Sequence, residues 1–330
     1  MEADRATRAS ESAMRPTPEK VILDCDPGHD DAIAIILAAG SPAVDLLAIT
    51  TVAGNQTIEK VTRNALAVCE VAGIRSVPVA AGACRPLVRD QLVAPDIHGE
   101  SGLDGPVLPV PQRDPDRRHG VDVIIQTIMT QPAGTVNLVA TGPLTNIALA
   151  MRREPAIMRR VKRLVLMGGS YTRGNATPAA EFNILADPEA AAAVFRGDWA
   201  VTMVGLDATH QALATAGVVE RIAAVGSELS RFLVDVLSFF AQSYRQAQAF
   251  DVPPVHDPVC IAALIDPSII ETTSAFVAVE TAGRWTYGMT VTDFGDAYKL
   301  AHNTQVATAI DANRFWDLII GAIRALSPAV

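Results

Sequence analysis

Short runs rich in β-branched residues recur along this 330-residue chain, and a helical pattern follows most of them. Residues 21–26 (VILDCD), 44–52, 77–82, 135–141, 161–169 and 199–207 read as buried strands, apolar runs bounded by turn residues. Residues 31–40, 58–73, 121–131 and 144–153 carry apolar side chains at helical spacing, and Gly40 and Gly73 stop the first two. Asp187-Pro188 opens a further helix with an N-cap and an N1 proline. Such alternation specifies βαβ units, because a crossover helix must carry the chain back before the next parallel strand can pair. The expected fold is α/β, a single domain with a mostly parallel, Rossmann-like central sheet covered by helices. Past residue 270 the rhythm changes. AFVAVET (275–281) and RWTYGMTVTD (284–293) predict a hairpin around Ala282-Gly283, and TQVATAID (304–311) and a last helix (313–326) close a small antiparallel portion. Trp285 and Trp316 are expected in the core.

The segmentation predicted is a disordered leader at 1–18 and one domain at 19–330, with no repeat or linker between. Charge narrows the partners: 27 Lys+Arg against 36 Asp+Glu give a net −9, with no basic cluster to hold a phosphate backbone, so nucleic acid is not expected. No apolar stretch near a terminus approaches the roughly 20 residues of a membrane span, and no apolar segment follows the first residues as a secretory signal would require. The four cysteines lack CxxC spacing, which argues against a zinc site or a disulfide framework; Cys25 and Cys260 read as buried thiols. A cytoplasmic location is the expectation.

In a doubly wound sheet, ligands bind beyond the carboxyl ends of the strands. Carboxylates, amides and hydroxyls collect there: Asp24, Asp26, Asp30 and Asp31 after the first strand, Asn55 after the second, Thr141 and Asn146 after the fourth, Asn175, Glu181 and Asn183 after the fifth, Asp207 and His210 after the sixth. Turn chemistry accounts for some of them. The densest fragment is DCDPGHDD (24–31), four carboxylates in eight residues between an apolar strand and an apolar helix. Like charges so close raise one another's pKa unless something neutralises them, and a helix N-terminus supplies only about half a positive charge. An oxygen-only set without interleaved Cys or His favours a hard cation, Ca²⁺ or Mg²⁺. VHDP (255–258) adds Asp257, a plausible helix N-cap, and His256 beside it.

These residues carry a resemblance. DCDPGHDDAIAI, AITTVAGNQTIEKVTRNA, IHGESGLDGP, LVATGPLTNIALA, LVLMGGSYTRGNATPAAEFNILADPEAA, TMVGLDATHQAL and VHDPVCIA are similar, in order, to the inosine-uridine-preferring nucleoside hydrolases, over about residues 19–325. The resemblance implies hydrolysis of ribonucleosides to ribose and free base, in nucleoside catabolism and purine salvage, with one Ca²⁺ per subunit. It also implies a homo-oligomer, tetramer or dimer. Carried over, the calcium ligands are Asp26, Asp31, Asp257 and the Thr141 carbonyl, with Asp24 in support. Asp30, Asn55, Asn175, Glu181, Asn183 and the Met167 backbone would hold ribose.

Cleaving the C1′–N bond builds positive charge on the sugar, which a carboxylate-rich site stabilises. The reading implied by the resemblance is that calcium-bound water, deprotonated by Asp26, attacks C1′ with inversion. His256 is the expected proton donor to the departing base, its ordinary pKa lying near neutrality. His98, in the Gly-rich IHGESG, would close over the base, and Tyr244 and Phe240, one helical turn apart, would pack on it. Some relatives carry an aromatic hydroxyl where this chain has Phe240, which leaves the base preference open among inosine, uridine, cytidine and adenosine, including a pyrimidine-specific alternative. His210 is expected to be structural. Outside this class, the rivals are a Mg²⁺-dependent phosphohydrolase with an Asp nucleophile and a non-catalytic nucleoside-binding protein.

Overall fold

A computed structural model describes residues 17–327, so the expected leader falls almost wholly outside the described residues. The described strands are β1 (Glu19–Cys25), β2 (Val44–Thr51), β3 (Val79–Ala81), β4 (Val136–Ala140), β5 (Val161–Met167), β6 (Val201–Val204), β7 (Ile270–Val279), β8 (Thr290–Asp293) and β9 (Thr304–Ile310). They form one sheet in the order β3-β2-β1-β4-β5-β6-β9-β7-β8. Pairing is parallel from β3 through β9, and antiparallel only where β7 joins β9 and β8 joins β7. Winding runs outward from β1 to β3 and then returns to start again at β4, so β1 and β4 flank a switch point where their loops diverge and leave a crevice.

Helices cover both faces. They are α1 (His29–Gly40), α2 (Ile58–Val71), α3 (Pro95–His98), α4 (Gly120–Thr130), α5 (Thr145–Arg153), α6 (Ile157–Arg160), α7 (Phe182–Ala186), α8 (Pro188–Phe195), α9 (Leu206–Thr209), α10 (Ala216–Ala223), α11 (Glu228–Gln248), α12 (Pro258–Ile265) and α13 (Ala312–Leu326). The alternation of β1 sends Val21, Leu23 and Cys25 into one core with α1, α11, α12 and α13, and Ile22 into the other with α4, α5 and α8. Helix α1 is buried nearly all round, so it has no solvent face. Its last residue is glycine for a steric reason: a Cβ at Gly40 would lie 2.6 Å from the Ala322 carbonyl oxygen of α13. No described helix is long and apolar enough to cross a membrane.

Several boundaries differ from the sequence expectation. The 199–207 strand is only Val201–Val204; Gly205 turns the chain straight into α9. The hairpin forms, but β8 pairs Val279 with Thr290, so residues 280–289 are a long connection and not a tight turn. Trp285 lies in that connection at 80% exposure, stacked under the Arg284 guanidinium rather than in the core. Trp316 is buried as expected, its indole N–H donating to the Leu213 carbonyl at 3.1 Å. The two tryptophans therefore predict opposite outcomes. Trp316→Ala should cost about 3–5 kcal/mol by cavity formation, and Trp285→Ala should stay within about 0.5 kcal/mol of the parent, as measured by denaturant unfolding.

Candidate active site

β1 ends at Cys25, and Asp26-Pro27-Gly28 lead into α1 with Asp30 and Asp31 in its first turn. The apolar strand and the buried helix leave these carboxylates nowhere to go but inward. Asp24, still within β1, faces the α5 side and accepts hydrogen bonds from Thr50 Oγ1 (2.5 Å) and Asn146 Nδ2 (2.8 Å). It lies beneath the site rather than in it. Asp26 has left the strand. Its Oδ2 accepts the Asn55 backbone N–H at 2.6 Å, and its Oδ1 is buried with no protein partner. Two glycines hug it: a Cβ on Gly54 would fall 2.2 Å from Oδ2, and one on Gly142 would fall 2.7 Å from Oδ1.

Asp31 Oδ1 accepts the Thr141 hydroxyl at 2.6 Å, tying α1 to the end of β4 across the switch point. Asp30 Oδ2 accepts the His256 backbone N–H at 3.3 Å. Asp257 stands at the start of α12 without capping it, so its carboxylate is free to turn inward. Oxygens of Asp30, Asp31 and Asp257 lie within 4.8 Å of one another, all three residues being buried. Asp30, expected to hold ribose, thus joins two of the expected metal ligands, with Asp26 alongside.

Burial first, and then repulsion from the neighbouring acids, push Asp31 up to about 8 and Asp26 and Asp257 well above the carboxylate range; burial raises Asp30 too, against its hydrogen bonds. Burial takes Asp24 and Glu181 to about 7. No described Lys or Arg makes an ion pair with any of them. A buried anionic cluster with an orphaned oxygen and no counter-charge is matched to a hard divalent cation, so the residues present fit one.

The site opens into a cavity of about 400 Å³. Asp30, Asn55, His98 and Thr141 line it, with Met167 and Asn175 further round. Glu181, Asn183, Tyr244, His256 and Asp257 complete the expected set. Asp26 and Asp31 are fully buried and do not line it, but they accept hydrogen bonds from two residues that do, Asn55 and Thr141. Glu181 also caps α7: its carboxylate accepts N–H groups from Asn183 (2.8 Å), Ile184 (3.0 Å) and Gly169 (2.9 Å). Asn183 donates from Nδ2 to the Thr141 carbonyl (2.9 Å) and the Met167 carbonyl (3.3 Å), stapling β4 to β5. Asn175 Oδ1 accepts the Phe182 N–H at 2.9 Å.

The opposite wall carries the histidines. His256 Nε2 and Nδ1 sit 2.7 Å from the Tyr244 hydroxyl and 2.7 Å from Thr209 Oγ1. Burial holds His256 down to about 3, so it is neutral at working pH and its expected titration near neutrality does not occur. Burial also raises the Tyr244 phenol well above its usual range, with the Asp30 charge adding to it. His98 is depressed by burial and by its neighbour His29, itself lowered to about 4. Phe240 does not line the cavity; it packs behind Tyr244, 4.7 Å between centroids. His210, expected to be structural, packs its ring tilted against Phe250 and His256, 5.2 and 5.7 Å between centroids. Sequence reasoning missed Thr209, at the end of α9 and bonded to His256, and the apolar wall of Leu92 and Val93, in an irregular segment, with Ile97 in the one-turn helix α3; none of these short pieces carries a periodicity.

A switch-point cavity lined by carboxylates and amides on one side and by aromatic and apolar groups on the other is the site of an α/β enzyme acting on a sugar joined to a flat ring. The family model described as inosine-uridine preferring nucleoside hydrolase matches residues 21–317. The inosine-uridine preferring nucleoside hydrolase of Crithidia fasciculata is 50% identical over 307 residues, covering 93% of this chain and 98% of that one. A pyrimidine-specific ribonucleoside hydrolase of Escherichia coli is 46% identical over 305 residues, covering 92% and 97%. Among solved structures, the purine-preferring ribonucleoside hydrolase from Gardnerella vaginalis superposes with a TM-score of 0.87 at 33% identity, covering 93% of this chain and 99% of that one. The chain belongs to the inosine-uridine-preferring nucleoside hydrolase family. It is a hydrolase of N-glycosyl bonds in ribonucleosides, and the phosphohydrolase and binding-protein readings fall away.

The acid cluster sets a pH dependence. In metal-free protein Asp24 and Glu181 bind protons up to about 7 when folded, whereas unfolded carboxylates release them near about 4. Between those values the native state holds more protons than the unfolded one, so stability falls as pH rises. The Tm of chelator-treated protein should drop from pH 5 to pH 8, and added Ca²⁺ should raise it more at pH 8 than at pH 5. A Tm that climbs over this range would contradict the buried, uncompensated cluster.

Proposed function

We propose that this chain hydrolyses ribonucleosides, inosine and uridine favoured, with Asp26 as the general base and with ribose held over the acid cluster. The observation that carries this reading is Asp26 itself: one oxygen is fixed by the N–H of Asn55, a residue that lines the cavity, and the other is buried and unpartnered. A carboxylate held in this way takes the proton of a water as its oxygen attacks C1′ and the bond to the base nitrogen breaks. Asp30, Asp31 and Asp257 would hold Ca²⁺, with Asp26 and the Thr141 carbonyl as further donors. Bound there, the ion supplies positive charge that keeps the carboxylates ionised, takes sugar hydroxyls and lowers the pKa of a neighbouring water. Glu181, Asn183, Asn175 and Asn55 offer the ribose oxygens acceptors and amide donors, with the Met167 backbone beneath them. The cluster's negative charge stabilises the cationic sugar of the transition state.

The departing base carries negative charge and needs a proton. Thr209, His256 and Tyr244 form a hydroxyl–imidazole–hydroxyl chain that delivers one without charging the imidazole. Tyr244 gives its proton to the base while the His256 Nε2–H donates a hydrogen bond to the phenol oxygen, and solvent returns a proton to that oxygen once the products leave. Support for inosine and uridine comes from the relatives at 50% identity, and the relative at 46% supports a pyrimidine-specific alternative. Four unpaired cysteines suit a reducing, cytoplasmic setting, where nucleoside catabolism and purine salvage would use this activity. A homo-oligomer, tetramer or dimer, is part of the same reading.

Free base released from a panel of nucleosides tests the reading directly, and elemental mass spectrometry should find about one calcium per chain. Asp26→Asn should lower turnover by at least ~10²-fold without unfolding the protein; retention of about a tenth of parent activity rules Asp26 out as base. His256→Ala should slow inosine far more than nitrophenyl riboside, whose leaving group needs no proton. Equal losses on the two substrates would reassign His256 to support of Asp257.

A further inference from the structure

The motif residue that the mechanism leaves unused is His29. It is wholly buried, and its ring lies parallel to Phe239 and Phe240, 5.1 Å from each centroid. Its Nε2 sits 2.8 Å from the Asp104 backbone carbonyl oxygen. A carbonyl can only accept, so that nitrogen carries the ring's proton. Neither His29 nor His98 hydrogen-bonds to a carboxylate, and both are buried, so each ring is neutral and holds one proton. His29 Nδ1 is therefore a bare acceptor, and it lies 3.1 Å from His98 Nδ1. Two bare nitrogens at that distance would repel, so the proton between them belongs to His98. The longer approach of the His29 backbone N–H to the same atom, at 3.3 Å, gives way. Gly28 permits this closeness: a Cβ there would fall 2.4 Å from His98 Nδ1.

We infer that His29 is a positioning residue that locks His98 in the Nδ1–H tautomer, so that His98 presents Nε2 to the base as a hydrogen-bond acceptor. This deepens the proposed function, because it rests on the cavity that His98 lines holding the base. An acceptor at that place selects a base edge that offers N–H. Hypoxanthine and uracil, once attached to ribose, each carry one such group on the ring: N1–H in inosine and N3–H in uridine. The same tautomer prevents His98 from donating the leaving-group proton, and that task stays with Tyr244 and His256.

The tautomer is read from the ¹⁵N shifts of ring-labelled histidine in the calcium-loaded protein, with His98 assigned by loss of its signals in His98→Gln. The parent should show a protonated Nδ1 and a bare Nε2. In His29→Leu the acceptor is gone but the residue-29 backbone N–H remains; His98 Nδ1 then accepts it and the tautomer reverses. In His29→Asn the side-chain oxygen replaces Nδ1 as acceptor, and the parent tautomer returns. On substrates, His29→Leu should lower kcat/KM for inosine and uridine about tenfold, the worth of one hydrogen bond, with nitrophenyl riboside within about twofold. His29→Asn should recover most of that loss. A parent His98 protonated at Nε2, or a tautomer unmoved in His29→Leu, overturns the inference. Because the NMR readout needs no turnover, that result is distinct from a failure of the nucleoside panel, which would sink the proposed function.

Discussion

Everything in this molecule is arranged around negative charge kept away from water. Four carboxylates, Asp26, Asp30, Asp31 and Asp257, meet at the end of an apolar sheet, with Asp24 and Glu181 buried close by. Ionised and unpaired, such a group costs several kcal/mol to bury. The fold tolerates the cluster by holding three of the four acids with donors, backbone N–H groups above all: Asn55 on Asp26, Gly28 and the Thr141 hydroxyl on Asp31, His256 on Asp30. The donors come from β1, β2 and β4 loops and from the entry to α12, so assembling the site and closing the sheet around its switch point are one event. What the protein donors leave over is the capacity for a cation and for the hydroxyls of a sugar.

The two walls of the cavity do opposite electrostatic work. Below lies a concentrated anionic floor that favours a positive sugar. Above lies a neutral, aromatic wall in which both His98 and His256 are too deeply buried to charge. Separation matters because a cationic histidine facing the floor would neutralise it. Keeping the imidazoles neutral preserves the floor's field for the transition state and confines proton movement to hydroxyl–imidazole hydrogen bonds.

Much of this was legible in the sequence, for a physical reason. Strands buried on both faces and their crossover helices imprint periodicity, so the parallel sheet could be read from β-branched runs, and DCDPGHDD stood out because four acids between apolar elements demand an explanation. What stayed hidden lacked periodicity or depended on distant partners. Leu92 and Val93 lie in an irregular segment, and Ile97 in the single turn of α3 that follows it, whose placement only the tertiary fold decides. Trp285 looked like core because aromatic residues in an alternating run suggest a strand, yet the run is a loop. His256 looked titratable because its burial, and the 2.7 Å contacts with Thr209 and Tyr244, come from elements separated by 47 and 12 residues. Glu181 read as a sugar ligand, and the three backbone N–H groups it caps could not be foreseen from its position alone.

The glycines pressed against Asp26 carry a consequence for how such a site can diversify. Gly54 and Gly142 leave no room for one extra carbon atom, and Gly28 sets the same limit beside His98. The floor is therefore frozen: a side chain added at Gly54 or Gly142 displaces the Asp26 carboxylate, and one at Gly28 displaces His98. Leu92, Val93 and Ile97, by contrast, line the cavity from the segment leading into and through α3, apart from the strand-end loops that carry the acid cluster. Freedom to accept a new base resides in that loop and in the end of α11, while the ribose half admits almost no variation. The catalytic floor and the recognition wall are thus separable modules, and a change of diet needs only the second.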